Sequence, residues 1–211
     1  MVKRDWSRGE EIANSLSHGC GCLAALMGSP FLLAVARQHE GFRPLLGMSV
    51  FAAITVFLYL SSSVHHWLRP GRAKDFFEVL DHAAIFLMIA GTYTPFALGI
   101  LWGAWGWLLL MIIWPLAIFG VLLKAFRGLQ PARFTIPLYV AMGWIMVIAF
   151  PAMSARMPRT GLLLILGGGL AYTGGLAFYV ARRFPYHHLL WHLAVLAGTS
   201  LHYAAIARYA F

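Results

Sequence analysis

The stretch Ala83–Leu123, AAIFLMIAGTYTPFALGILWGAWGWLLLMIIWPLAIFGVLL, runs for 41 residues without an Asp, Glu, Lys, Arg or His. As one helix it would extend ~62 Å, twice the ~30 Å hydrocarbon core of a bilayer. It therefore reads as two membrane crossings folded into a hairpin. The break is expected near Gly99, Gly103 and Gly106, with Trp102, Trp105 and Trp107 forming an aromatic belt at the membrane surface.

Working outward, five more runs are apolar enough to cross: Ile12–Ala36, Leu45–Leu68, Phe134–Met153, Gly161–Ala181 and Tyr186–Ala207. With 79–100 and 105–124 from the hairpin this predicts seven spans in one domain covering 1–211. Composition agrees. Of the 211 residues 61% are hydrophobic and 11% charged, against the ~25% charged residues of an ordinary soluble domain. The expected class is all-α: a polytopic membrane protein built as a seven-transmembrane helix bundle. Disorder and repeat solenoids are excluded.

Basic residues outnumber acids 16 to 7, but they sit in short clusters between apolar runs, so they describe loops against anionic headgroups and not a nucleic-acid surface. With seven spans, one side carries eleven of them: Lys3, Arg4, Arg8, Arg69, Arg72, Lys74, Lys124, Arg127, Arg133, Arg182 and Arg183. The other carries Arg37, Arg43, Arg156, Arg159 and Arg208. The positive-inside rule then places the N-terminus in the cytoplasm and the C-terminus outside. Cys20 and Cys22 turn to different helix faces, and no disulfide is expected. The first apolar run is too long for a cleavable signal. Gly167, Ala171 and Gly175 form a small-residue stripe suited to close helix packing.

Ionisable groups inside spans are expensive and mark function by default. Here they are gathered. Ser62 and His66 end span two, Asp81 and His82 open span three, His187, His188 and His192 open span seven, and Glu11, Asn14 and His18 open span one. Given the orientation above, all four clusters fall at one depth, in the cytoplasmic leaflet. His188 and His192 are one turn apart, so two histidines from span seven, one from span two and a water make the open three-ligand geometry of a hydrolytic zinc site. Asp81 would orient or deprotonate that water. Spacing leaves the register open: Ser61 precedes His65 as Ser62 precedes His66, and His187 abuts His188. His202, ten residues beyond His192, is ~15 Å deeper and reads as a buried, hydrogen-bonded histidine. His39 reads as a loop residue. Glu11, Asn14 and His18 share a face and either support the site or cap span one.

Taken together, Gly9-Glu10-Glu11-Ile12-Ala13-Asn14 with Ser17-His18-Gly19, Ser62-Ser63-Val64-His65-His66, Asp81-His82 followed by Ile89–Phe96, and His188-Leu189-Leu190-Trp191-His192 resemble the bacterial hemolysin III family. That family belongs with the progestin and adipoQ receptors, including the adiponectin receptors, and more loosely with alkaline ceramidases. The resemblance covers nearly the whole chain. It implies seven spans with the N-terminus inside and a Zn2+ ion held by His66, His188 and His192, with Asp81 and Ser62 matching the aspartate and serine beside the water. His65 stands where relatives usually carry an aromatic residue, which keeps it open as a substitute ligand. The long cytoplasmic region of the eukaryotic receptors has no counterpart here, so no soluble hormone partner is expected.

The leading expectation is a zinc-dependent, ceramidase-like hydrolysis of a lipid amide or ester in a bacterial plasma (inner) membrane, with the bilayer itself as the partner. Alternatives are a non-enzymatic regulator or sensor of membrane state stapled by structural zinc, and the cytolytic activity that the family name suggests.

Overall fold

In the computed structural model, residues 6–127, 132–181 and 184–211 are described, apart from the side chains of residues 127, 132 and 133. Lys3, Arg4, Arg182 and Arg183 therefore lie outside the described residues, as do the side chains of Arg127 and Arg133. The elements among the described residues are helical: α1 (Arg8–Ala36), α2 (Phe42–Trp67), α3 (Arg72–Leu98), α4 (Ala104–Arg127), α5 (Ala132–Trp144), a 3-10 turn (Ile145–Ala149), α6 (Phe150–Ser154), α7 (Arg159–Val180) and α8 (His187–Tyr209). Among the described residues seven segments are long and apolar enough to cross a membrane, the fifth being α5, the 3-10 turn and α6 taken together. The protein is an integral membrane protein. Its outward faces carry many exposed large apolar side chains, such as Met27 at 79% exposure and Met111 at 72%, more than a water-soluble surface would tolerate.

The hairpin breaks where expected. Gly99 caps α3 and Gly103 has φ +112°, a left-handed conformation open to glycine at little cost. Gly99 also admits the end of α8: Ile100 N donates to Ala210 O at 2.8 Å, and a Cβ on Gly99 would collide with that carbonyl.

Two spans differ from their expected form. The third begins at Arg72, seven residues earlier than 79, because Lys74, Asp75 and Glu78 extend the helix with polar turns that an apolar count leaves out. The fifth is interrupted at Ile145–Ala149. There the Tyr93 hydroxyl donates to Met142 O at 2.8 Å and Gly143 O at 2.9 Å and accepts from Met146 N at 2.9 Å, so a side chain takes the place of ladder bonds. Pro151, lacking an N–H, cannot close the next turn. The small-residue packing also shifts register. Gly161, Gly168 and Gly175, seven apart, meet Tyr209, His202 and Ala194, whereas Gly167 meets only Leu201 at 3.4 Å. Thus α7 and α8 pack along their length while α5 meets α7 mainly through Trp144, whose Nε1 donates to Thr173 Oγ1 at 3.1 Å.

Candidate metal centre

The N-terminal end of α1 is built by a capping box. Glu10 N donates to Ser7 Oγ at 3.2 Å, and Ser7 N donates to the Glu10 carboxylate at 2.9 Å, satisfying donors that a helix start leaves open. The other Glu10 oxygen accepts from Tyr186 N at 3.0 Å. Tyr186 has φ +58° just before α8, so the starts of α1 and α8 are tied together, and the next turns of both face the end of α2.

Into that junction project His66 from α2 and His188 and His192 from α8, each at most 8% exposed. One donor nitrogen from each lies within 4.8 Å of the others. Ring centroids are separated by 5.1 Å for His66 and His188, 5.0 Å for His66 and His192, and 4.6 Å for His188 and His192. This is the register that the resemblance implies. His187 turns away, with Nδ1 on Phe178 O at 3.0 Å, and His65 falls outside the three-histidine group.

Two of the three rings are held in one tautomer. His66 Nδ1 lies 2.7 Å from a Glu11 carboxylate oxygen, and His66 Nε2 is buried without a partner among the described residues. A carboxylate accepts, so Nδ1 carries the hydrogen and Nε2 the lone pair. His192 Nδ1 lies 3.1 Å from the Asn14 carbonyl and 3.0 Å from Ser17 Oγ, which itself donates to Asn14 O. A carbonyl only accepts, so His192 also presents its Nε2 lone pair. Three buried imidazoles, two braced from behind by an acceptor, are a donor set suited to a divalent transition metal with nitrogen preference.

The remaining residues singled out from the sequence gather around these rings. Asp81 places a carboxylate oxygen within 4.8 Å of donor atoms of both His65 and His66. Ser62, one turn before His66, is 1% exposed, and its hydroxyl lies beside the Asp81 carboxylate. Glu11 also receives Lys74 Nζ at 2.8 Å, and Lys74 donates as well to His65 O at 3.0 Å and Leu68 O at 3.3 Å, closing the end of α2. His18 stacks flat on His192, centroids 3.6 Å apart and planes 6° apart. Asn14 acts through its backbone carbonyl, while its side-chain oxygen and nitrogen are buried without partners among the described residues. Of the two roles open to Glu11, Asn14 and His18, contact with the site is the one present; capping falls to Ser7 and Glu10.

Three neighbours have no role assigned from the sequence. Ser17 braces His192. Trp6 covers the rings, stacked on His188 at 4.4 Å and tilted over His66 at 5.1 Å. Lys74, counted only as a loop charge, neutralises Glu11. The Ser7-x-x-Glu10 spacing could have located the helix start, but no pattern marks Trp6, because its contact spans almost the full chain length.

An apolar cavity of about 120 Å³ begins one turn away. Its lining includes Leu58, a turn before Ser62; Ile85, a turn after Asp81; Trp191, beside His192; and, further along, Trp144, Thr173 and His202. His202 is buried and hydrogen-bonded to Ile165 O at 3.1 Å, as its sequence position suggested.

Comparison with known proteins gives a consistent set of relatives. The family described as haemolysin-III related matches residues 6–203. The chain is 36% identical over 200 residues to the "Hemolysin-3 homolog" of Bacillus subtilis (strain 168), covering 95% of this chain and 94% of that one. It is 35% identical to "Hemolysin-3" of Bacillus cereus, covering 95% and 91%. A more distant relative is the human "Monocyte to macrophage differentiation factor", 26% identical over 212 residues, covering 96% and 85%.

Proposed function

This chain belongs to the haemolysin-III related family, and on that premise we propose that it is a zinc-dependent hydrolase of a lipid amide or ester in a bacterial plasma membrane, with the histidine layer toward the cytoplasm. The observation that carries the reading is the partnerless, buried Nε2 of His66, braced by Glu11 and facing His188 and His192. In this reading His66, His188 and His192 hold the ion, which would polarise a carbonyl and make water a competent nucleophile at neutral pH.

The chain's own residues supply the rest. Glu11 and the Asn14 carbonyl fix the rings of His66 and His192. Asp81, beside His66, takes the proton of the attacking water as its oxygen bonds to the carbonyl carbon, and returns it to the departing amine or alkoxide. The Ser62 hydroxyl, next to Asp81, would turn to donate to the carbonyl oxygen as charge builds there. The apolar cavity one turn away receives an acyl chain, and the sparse contact between α5 and α7 leaves Gly143, half-open to the outside with no atom near its Cα face, beside an approach from the bilayer.

One observation favours a second reading. Asp81 is close enough to the His66 ring to serve as a fourth ligand, and a closed four-ligand ion would staple α2, α3 and α8 as a non-catalytic regulator of membrane state. The test of both is metal analysis of the purified protein, followed by mass-spectrometric assay of ceramide and other acyl lipids. Stoichiometric zinc with lipid cleavage that disappears in Asp81→Asn supports the hydrolase. Stoichiometric zinc without cleavage of any acyl lipid supports the staple, and absence of bound metal overturns both.

A further inference from the structure

The cavity beside the histidines hides a one-sided polarity. Thr92 Oγ1 donates to Met88 O at 2.8 Å, Tyr93 to Met142 O at 2.8 Å, Tyr139 to His82 O at 2.9 Å and Thr173 to Gly169 O at 2.8 Å. Tyr172 Oη is 2.6 Å from Thr199 Oγ1, and since Thr199 already donates to Val195 O at 3.0 Å, Tyr172 is the donor in that pair. Five hydroxyls thus line the cavity with every hydrogen committed to the protein. What they have left is lone pairs.

His202 sharpens the asymmetry. It is 9% exposed and lines the same cavity. Its Nε2 faces the Ile165 carbonyl, which can only accept, so Nε2 carries the hydrogen and Nδ1 the lone pair. Nδ1 is buried and has no partner among the described residues. The absence of a side chain at Gly168 lets the Cδ2 and Nε2 edge of the ring press against α7, since a Cβ there would overlap both atoms. The Nδ1 edge is therefore the one turned away from the α7 backbone. A buried acceptor left unpaired costs stability unless a donor reaches it.

We propose that this cavity binds a lipid whose hydrocarbon chain carries a hydroxyl part-way along, the hydroxyl donating its hydrogen to Nδ1 of His202. The cavity's contribution from α8 runs from Trp191 to His202, eleven residues or ~16 Å of helix, so the hydroxyl recognised is remote from the headgroup held near His192. Its volume, about 120 Å³, is of the order that admits a small apolar molecule or several methylenes. A lining of committed hydroxyls disfavours a carbonyl or carboxylate beside His202, because none of those hydroxyls has a hydrogen left to give it. The inference rests on the lipid reading above for the kind of molecule, and adds what distinguishes one lipid from another.

The experiment is a titration of the full-length protein in lipid nanodiscs with stearate and with mid-chain hydroxystearate, followed through the change in total tryptophan fluorescence, two of whose eight sources, Trp144 and Trp191, line the cavity. Tighter binding of hydroxystearate by about tenfold is expected, corresponding to one well-made hydrogen bond to a buried acceptor. His202→Leu should bind the two acids equally. Equal affinities in the wild type overturn the inference, an internal water then being the donor to Nδ1, as does a preference that survives in His202→Leu. The wild-type comparison needs no variant, so it stands even if His202→Leu fails to fold. If neither acid binds, the lipid reading itself falls; if both bind equally, only the hydroxyl selectivity does.

Discussion

Glu11 is the most informative residue to perturb, because it touches the candidate centre only through another side chain. Its carboxylate holds His66 Nδ1 at 2.7 Å and Lys74 Nζ at 2.8 Å, and its side chain is 22% exposed. A charge-assisted hydrogen bond contributes about 1.5–3 kcal/mol, to be discounted toward the lower end because solvent reaches Glu11 and Lys74 shares its charge. Loss of a partner behind a ligating histidine costs about 10- to 100-fold in metal affinity, or about 1.4–2.8 kcal/mol, and the two figures agree. Glu11→Gln keeps an acceptor without the charge and should weaken zinc binding about tenfold. Glu11→Ala removes both and should approach 100-fold. Affinity is read by competition against a chromogenic chelator. Lys74→Met is the control: it leaves the His66 contact intact and, by removing the Lys74 bonds to Glu11, His65 O and Leu68 O, should lower stability by about 1–3 kcal/mol with little change in affinity. Wild-type affinity in Glu11→Ala would refute the reasoning, and so would a Lys74→Met loss equal to that of Glu11→Ala.

Other outcomes follow from the packing and the cover over the rings. Gly168→Ala should destabilise the protein by about 1–3 kcal/mol through overpacking against His202, whereas Gly167→Ala, meeting only Leu201 at 3.4 Å, should be near neutral; thermal melts in detergent compare them. Tyr93→Phe strips three hydrogen bonds from the 3-10 interruption and should cost about 1–3 kcal/mol in the same assay. Trp6→Ala uncovers His188 and His66, and zinc loss to a water-soluble chelator should become several-fold faster, measured by stopped flow. If the protein forms no pore, dye-filled liposomes carrying it in purified form should retain their contents, and release that depends on the histidines would instead favour pore formation.

The bundle was legible because a bilayer converts composition into geometry. A run as long as Ala83–Leu123 without a charge has no other place to go, and glycine must sit where its helix turns back. The histidine layer was legible for a related reason: imidazoles and a carboxylate are costly in hydrocarbon, so Ser62, His66, Asp81, His188 and His192 stood out against their background. Spacing alone, however, could not choose between His65 and His66 or between His187 and His188. That choice depends on the rotation of α2 and α8 about their axes, which is set by contacts between residues far apart in the chain, such as Glu11 with His66 and Asn14 with His192. The interruption of the fifth crossing escaped for the same reason, since Tyr93 belongs to another helix. Trp6 over the rings and the partnerless Nδ1 of His202 are likewise products of assembly. One-dimensional pattern reports which residues are too polar for a membrane; only the packed helices determine which nitrogen of each ring is left with a lone pair, and toward what it points.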